Sequence, residues 1–159
     1  MLAKVISGGQ TGVDIAGLMA AQALGIPTGG WMPKGYITLA GKRPAYAGRY
    51  GIVALQSPNY PDRTRMNVRG SDATIQLAKN FKARGEQLTT RMILELNKPS
   101  LKIDIEKSGI TVEAVVEWLN ANNVSILNVA GNSEEESPGI ESYATGFLTE
   151  VFKLANGIK

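Results

Sequence analysis

The first 24 residues constrain the fold of this chain most, because they have the pattern of a strand, a glycine-rich turn and a helix. Residues 2–6 are a short apolar run, which is typical of a buried strand. Residues 7–12, Ser-Gly-Gly-Gln-Thr-Gly, interrupt this run, and an apolar helical pattern begins at Val13. Such a corner can bind an anion, since glycines let main-chain N–H groups approach an oxygen and a helix N-terminus adds unpaired donors. A tight turn without a ligand has the same pattern.

The turn offers both main-chain and side-chain hydrogen-bond donors. Its candidate binding residues are Ser7, Gly8, Gly9, Gln10, Thr11 and Gly12. We expect an anion over Gly8 and Gly9. Asp14 is expected to bond a ligand hydroxyl or the loop backbone, because its carboxylate would repel a phosphate placed directly on it. The turn is not a P-loop, since the Gly-Lys-Ser/Thr ending is absent, and the Gly-x-Gly-x-x-Gly pattern is absent too.

Composition excludes several classes of site. The chain has 159 residues, of which 43% are apolar and 19% charged, and this fits one folded domain over residues 1–159. It contains no cysteine and no histidine, so thiol nucleophiles, zinc–thiolate sites and histidine bases are excluded. Any catalysis would use carboxylate, lysine, tyrosine or hydroxyl side chains, or a bound cofactor. No metal site is predicted.

Charge and hydropathy give expectations about partners and location. The formal net charge of +3 is mild and the basic residues are spread along the chain, so nucleic-acid binding is not indicated. No apolar run reaches the roughly 18 residues of a membrane span, and the strand pattern at the N-terminus argues against a cleavable signal. We therefore expect a cytoplasmic protein without membrane contact.

Strand patterns alternate with helix patterns along the chain. Strands are predicted at residues 2–6, 29–33, 50–55, 73–78, 101–105 and 124–129, and helices at 13–24, 63–69, 88–96, 111–122 and 138–156. Residues 33–49 are predicted to be a long loop. Several strands are continuous apolar runs, which favours an α/β fold with an open, mostly parallel sheet and helices on both faces. Ligands of such folds bind at the carboxyl ends of strands, so the loops after the first, second, fourth and last strands should share one rim.

Six ordered motifs together resemble one known family. They are residues 7–14 (SGGQTGVD), 29–35 (GGWMPKG), 60–68 (YPDRTRMNV), 71–74 (SDAT), 127–131 (LNVAG) and 138–140 (PGI). They span nearly the whole chain, and in this order they are similar to the family of proposed molybdenum, or molybdenum-cofactor, carriers. That family belongs to the Rossmann-like proteins related to the lysine-decarboxylase-like, or LOG, fold.

The resemblance implies a three-layer Rossmann-like fold with a phosphorylated ligand at the strand ends. The family's name suggests the molybdenum cofactor, a pterin that bears a phosphate, and a nucleotide such as AMP is the alternative. A homo-oligomer is implied, since LOG-like proteins commonly pair through helices. The chain departs from the family at Ile15, where members often carry an arginine, and at residues 84–89, where a glycine pair is often found. The missing glycine would close part of the anion site or let Arg84 enter it.

Further candidate ligand-binding residues lie in or near the predicted rim loops. They are Lys34, Arg63, Thr64, Asn67, Ser71, Asp72, Thr89, Asn128 and Gly131. Cationic side chains would pair with the phosphate, and an arginine can hold it through two parallel hydrogen bonds. Each residue has a structural alternative: a solvated Lys34, an Arg63 that ties a loop to the sheet, a turn at residues 71–72, and helix capping by Thr89 or Thr90. Trp31 would stack on a heterocycle or pack in the core.

Two functions from different classes fit these residues. The first is a binding protein that carries or senses a phosphorylated small molecule. The second is a nucleotide N-glycosidase like the LOG phosphoribohydrolases, which use the glutamate of a Pro-Gly-Gly-x-Gly-Thr-x-x-Glu motif. The helix predicted at residues 88–96 has neither the glycine pair nor that glutamate. Glu86 and Glu95 remain as carboxylates without an evident partner, so binding is favoured over catalysis.

Overall fold

A six-stranded sheet forms the centre of the molecule, and the computed structural model describes residues 1–159. The strands are β1 (Lys4–Ile6), β2 (Thr28–Met32), β3 (Ile37–Thr38), β4 (Gly41–Lys42), β5 (Ile52–Ala54), β6 (Ala73–Ala78), β7 (Ser100–Asp104) and β8 (Ile126–Gly131). The spatial order in the main sheet is β5-β2-β1-β8-β6-β7, and every neighbouring pair is parallel. Strands β3 and β4 form a separate antiparallel hairpin.

Helices cover both faces of this sheet. They are α1 (Val13–Ala23), α2 (Tyr46–Tyr50), α3 (Tyr60–Arg69), α4 (Arg84–Glu95), α5 (Val112–Ala121) and α6 (Ile140–Asn156). Helices α1, α5 and α6 pack together on one face, and α3 packs beside α4 on the other. The predicted α/β fold, with a parallel sheet and helices on both faces, is confirmed. None of the six helices combines the length and the apolar character needed to cross a membrane.

The main apolar core lies between the sheet and helices α1, α5 and α6. It is a cluster of 22 buried residues, in which Leu148 and Phe152 of α6 are completely buried. The strands contribute alternate side chains such as Ile75, Leu127 and Val129, because successive residues of a strand point to opposite faces. This burial provides the main driving force for folding.

The opposite face of the same strands is polar. Thr74, Gln76 and Asn128 are each at most 2% exposed and point towards α3 and α4. Gln76 Nε2 donates to the Glu86 carbonyl of α4 at 3.3 Å, and Asn128 Nδ2 donates to Thr74 Oγ1 at 3.1 Å. The α3–α4 side is therefore held by hydrogen bonds between buried polar groups as well as by apolar contact.

The order of the strands reverses beside β1. The chain builds outward from β1 through β2 to β5, then crosses to β6 and β7 and returns to place β8 between β1 and β6. The segments that leave β1, β6 and β8 therefore meet at the carboxyl edge. In parallel α/β folds this reversal is the position at which ligands bind.

Several predicted boundaries are wrong. Residues 33–49 are not a plain loop, because they contain the β3–β4 hairpin and most of α2. The strand predicted at residues 50–55 reduces to β5, since Tyr50 ends α2 and is buried against Ile52. Helix α4 begins at Arg84 rather than at residue 88. Its first turn is polar and lines a cleft, so it shows no apolar period in the sequence.

Candidate ligand-binding site

A cleft opens at the carboxyl edge of the sheet between the first turns of α3 and α4. Its volume is about 870 Å³, within the range of roughly 300–1,000 Å³ that is usual for small-molecule sites. Segments that follow β1, β6 and β8 contribute to its wall, as the predicted common rim requires. The predicted loop after the second strand contributes Leu39 of the β3–β4 hairpin, and α3, which follows β5, contributes as well although the rim was not predicted to include it. The predicted binding residues that line it are Gln10, Asp14, Arg63, Thr64, Thr89 and Gly131.

The glycine-rich corner surrounds a carboxylate of the protein itself. Asp14 lies in the first turn of α1 and is 3% exposed. Its Oδ2 accepts hydrogen bonds from the Gln10 N–H at 3.3 Å and from Arg63 Nη1 at 3.1 Å, and the Gly8 amide also favours the charged carboxyl. Burial raises the pKa of Asp14, while Arg63 and the two amides oppose this increase. The corner therefore already binds one negative group.

Arg63 lies across Gly8 and closes the corner. A Cβ atom on Gly8 would be 1.9 Å from Arg63 Nη1 and 2.6 Å from its Cδ, so glycine is needed to leave room for this side chain. The guanidinium lies 5.2 Å from the centre of the Tyr60 ring, and its Nε is buried without a hydrogen-bond partner. Arg63 thus ties α3 to the corner and lines the cleft at the same time.

The other residues of the turn bond to neighbouring parts of the chain. Ser7 Oγ donates to the Asp14 carbonyl at 2.9 Å and accepts from the Gly9 N–H at 3.1 Å. Thr11 Oγ1 donates to the Glu135 carboxylate. Gly12 precedes α1 with a φ of 82°, and a Cβ there would lie 2.3 Å from the Asn132 carbonyl oxygen. A phosphate over Gly8 and Gly9, as the sequence predicts, would compete with the Asp14 carboxyl for the Gln10 amide and Arg63.

Glu86 is the cleft residue to which the sequence assigned no role. It lies in the first turn of α4, is 5% exposed and forms no ion pair. Burial raises its pKa to about 7, Asp14 and Glu136 add to the increase, and a hydrogen bond from Asn132 opposes it. A buried carboxyl that titrates near neutral pH in a cleft is a candidate functional group. The only signal in the sequence was the departure from the family pattern at residues 84–89.

Asn132 is a second residue that the sequence did not single out. It is completely buried after β8, and its Nδ2 donates to Glu86 Oε2 at 2.8 Å and to the Asn80 carbonyl at 3.0 Å. Its Oδ1 accepts from the N–H groups of Lys79 and Asn80 and from Ser137 Oγ. Asn132 therefore fixes the loop after β6 and orients the Glu86 carboxyl. A single asparagine without a helical or strand period gives no such indication in a sequence.

The first two turns of α4 present two further cations to the cleft. Arg84 and Arg91 both line it, together with Gln87 between them. Positions three, four and seven residues apart share one face of a helix, so the three side chains form a polar stripe. Arg91 Nε is 4.0 Å from a Glu95 carboxylate oxygen, whereas Arg84 forms no ion pair. The expectation that Arg84 enters the site at the missing glycine agrees with this placement.

Two predicted binding residues lie at the opposite edge of the sheet. Ser71 and Asp72 precede β6, so they are at the amino end of the parallel strands, away from the cleft. Asp72 Oδ2 accepts from the N–H groups of Ser125 at 2.9 Å and Ile126 at 2.7 Å. Neither residue lines the cleft, and the geometry fits their predicted alternative role in a turn.

Three other predicted residues do not line the cleft. Lys34 is exposed to solvent and lies outside the cleft. Asn67 Nδ2 donates to the Trp31 carbonyl at 2.9 Å and its Oδ1 accepts from the Trp31 N–H at 3.0 Å, which joins α3 to β2. Asn128 is buried beneath α3 and α4, and its Oδ1 has no hydrogen-bond partner. Asn67 and Asn128 thus make structural contacts outside the cleft.

Of the structural alternatives predicted for Thr89 and Trp31, helix capping by Thr89 does not fit the structure, whereas packing of Trp31 does. Thr89 is not near a helix end, because α4 already begins at Arg84; its Oγ1 donates to the Gly85 carbonyl at 3.0 Å within the helix. Trp31 packs on Gly70, where an added Cβ would lie 2.6 Å from its ring, and it does not line the cleft. Of its two predicted roles, packing is the one that fits.

Matches to known proteins agree with this fold. Residues 5–152 match a family described as the circularly permutated YpsA SLOG family. The chain belongs to this family. A crystal structure from Syntrophus aciditrophicus SB, named "putative molybdenum carrier protein", is similar to this SLOG protein at 35% identity, over 95% of this chain and 94% of that one, with a TM-score of 0.84. The resemblance to molybdenum carriers is thereby confirmed. No curated protein matches the chain.

The SLOG protein has no cluster of side chains suited to a bare metal ion. No group of three or more acidic residues is placed to hold one.

Proposed function

We propose that this SLOG protein binds a phosphorylated small molecule, a nucleotide or the molybdenum cofactor, in the cleft between α3 and α4. The observation that carries the proposal is the convergence of Arg63, Arg84 and Arg91 on one cavity of about 870 Å³ at the carboxyl edge of the sheet. A phosphate is the ligand group that several guanidinium groups recognise best. The name of the similar Syntrophus protein favours a carrier role.

The α4 side of the cleft is a better binding position for the phosphate than the glycine-rich corner is. In the corner, the Gly8 and Gln10 amides and Arg63 already neutralise Asp14, so a phosphate there would compete with a buried carboxyl for these groups. On the α4 side, Arg84 has no carboxylate partner and the helix begins without a side-chain cap. Arg84 and Arg91 are therefore the residues proposed to bind the phosphate.

Titration calorimetry with AMP, GMP and a phosphorylated pterin tests this proposal. At least one ligand should bind, and Arg84→Met or Arg91→Met should weaken it about tenfold or more, since a charge-assisted hydrogen bond is lost. Arg69→Met is the matched control, because Arg69 is exposed on α3 and does not line the cleft. Equal losses in the control would mean that only the net charge matters. Absence of binding by all three ligands would end the proposal.

The Glu86 carboxyl gives one specific reason to keep nucleotide N-glycosidase activity as a second candidate function. A carboxyl with a pKa of about 7 can donate a proton to a leaving base near neutral pH. Water would then replace the base at the ribose carbon and give free base and ribose 5-phosphate. Ribose 5-phosphate released from AMP by the protein, and not by Glu86→Gln, would favour this activity. Glu95→Gln on the same helix is the control.

The predicted homo-oligomer and the cytoplasmic location stay predictions for this SLOG protein. Sedimentation measurements at two protein concentrations would test the first. Fractionation of cells that express the full chain would test the second.

A further inference from the structure

The Glu86 carboxyl has one oxygen that no other residue of the protein satisfies. Its Oε2 accepts from Asn132 Nδ2 at 2.8 Å, whereas no other residue donates a hydrogen bond to Oε1, and the only amide that acts on the carboxyl is that of Glu86 itself. Two side-chain atoms of the protein, Arg63 Nε and Asn128 Oδ1, are fully enclosed without a hydrogen-bond partner. Oε1 is not one of them, so it is not sealed off from the cleft. Because Glu86 lines the cleft, Oε1 is open to a molecule that enters it.

No cationic side chain of the protein pairs with Glu86. Asp14 of α1 and Glu136 after β8 are the charged groups that act on it, and both are negative. Arg63 is paired with Asp14 at 3.1 Å, and neither Arg84 nor Arg91 forms an ion pair with Glu86. The ionised form of this buried carboxyl is stabilised only by N–H donors from elsewhere, because an unsatisfied buried charge is costly.

Resting on the proposed function, we propose that Glu86 binds the amino-oxo edge that guanine and pterins share and thereby selects the heterocycle of the ligand. This edge presents a ring N–H beside an exocyclic amino group, so two donors point in the same direction towards the two oxygens of one carboxylate. Oε2 can serve Asn132 and the ligand together, since a carboxylate offers about four acceptor positions. The adenine edge instead presents an acceptor beside a donor.

The protonation state of Glu86 gives this selection a pH dependence. The two donors of guanine need the ionised carboxylate, and the pKa near 7 leaves the free protein divided between the two forms at neutral pH. Affinity scales with the fraction of the competent form. GMP binding should therefore strengthen by about tenfold between pH 6 and pH 8, as the carboxyl ionises. AMP binding should not gain over this interval, because its acceptor–donor edge matches the protonated form.

Calorimetry with GMP, IMP and AMP on the full chain separates the edge from the phosphate. All three carry the same ribose phosphate, and IMP lacks only the amino group of GMP. We expect GMP to bind about tenfold tighter than IMP, and AMP to be the weakest at pH 8. A pterin phosphate in the same series distinguishes the two sources of the edge: tighter binding of one or the other identifies the natural class, and either supports the role of Glu86.

Glu86→Gln should remove both the preference for GMP over AMP and its pH dependence. Glu117→Gln is the matched control, since it removes an exposed negative charge from α5, which does not line the cleft. If Glu86→Gln fails to fold, the IMP comparison and the pH series on the unaltered protein still decide the question. Equal binding of GMP and AMP at pH 8, or tighter binding of AMP at that pH, would overturn the role of Glu86 and leave the proposed function standing. No binding by any of the ligands would end both.

Discussion

The two faces of the central sheet are filled by different chemistry. On the face of α1, α5 and α6, 22 buried apolar residues form one continuous core. On the face of α3 and α4, the buried apolar cluster consists of Val68, Met92 and Ile93, and the strands contribute polar side chains such as Gln76 and Asn128. The two faces are therefore divided by role: the face of α1, α5 and α6 supplies most of the stability, and the face of α3 and α4 supports a polar cleft. The following predictions test this division, from the largest expected effect to the smallest.

Truncation of one large apolar residue on each face compares their contributions directly. Leu148→Ala, in the main core, should lower the free energy of unfolding by about 4–5 kcal/mol, because the fully buried site cannot collapse. Met92→Ala, in the small cluster under α4, should cost about 2–3 kcal/mol, because the neighbouring cleft lets the structure relax. Urea unfolding at one pH measures both. Equal losses would contradict a division between the faces.

Removal of the Arg63 cation should be the most costly change on the α3 side. Arg63→Met leaves the buried Asp14 carboxylate without its ion pair, which should cost about 3 kcal/mol at pH 7. The loss should be smaller at pH 5, because burial raises the pKa of Asp14 and protonation then removes the uncompensated charge. The double variant with Asp14→Asn should recover part of the stability. A double variant as unstable as Arg63→Met would show that packing, not charge, sets the cost.

Replacement of Glu86 should stabilise the protein in a defined pH range. The folded state raises the pKa of Glu86 from 4.5 to about 7, so the unfolded chain releases this proton first and stability falls as the pH rises between these values. Glu86→Gln should therefore unfold like the unaltered protein near pH 4.5 and be about 1–3 kcal/mol more stable at pH 8. A pH series of thermal or urea unfolding measures the difference. A constant difference at all pH values would contradict the raised pKa.

The smallest effect is expected at the exposed ion pair that joins α3 to α4. Arg65 Nη2 lies 2.6 Å from Glu95 Oε2, but both side chains are almost half exposed. Arg65→Met should therefore change the unfolding free energy by less than about 1 kcal/mol, and added salt should reduce even this difference. Urea unfolding at low and high salt is the measurement. A loss as large as that of Met92→Ala would mean that surface charges hold the two helices together.

The sequence predicted the parallel sheet because its strands are apolar runs that alternate with helices. The boundaries failed where that signal was weak. Helix α4 was placed too late, since Arg84 and Gln87 face the cleft and give no apolar period. The segment at residues 33–49 contains too few apolar residues to reveal the short β3–β4 hairpin. Patterns of hydrophobicity reveal segments that pack against the core. The first turn of α4 and the β3–β4 hairpin do not pack there, so the patterns did not reveal them.

Only some of the residues that line the cleft were singled out in the sequence, because short motifs do not show which distant segments meet. Arg63, Asp14 and Thr64 lie in recognisable motifs and do line the cleft. Ser71 and Asp72 also lie in a motif, yet Asp72 accepts from main-chain amides at the amino edge of the sheet and Ser71 Oγ donates to the Val68 carbonyl. The motifs therefore identified residues that have a definite role in the structure. They did not show which of these residues line the cleft and which only hold the fold together.

The amino-acid sequence by itself determined the α/β class, the common rim and the family to which the chain belongs. These follow from the order and the period of short segments, which a linear sequence contains directly. Only the tertiary structure decided that Arg63 neutralises Asp14 inside the corner and that Glu86 is buried near Asn132, 46 residues away in the chain. Pairings of this kind arise from the crossing of distant strands and helices, and the resulting loss of water determines the charge that each carboxyl carries.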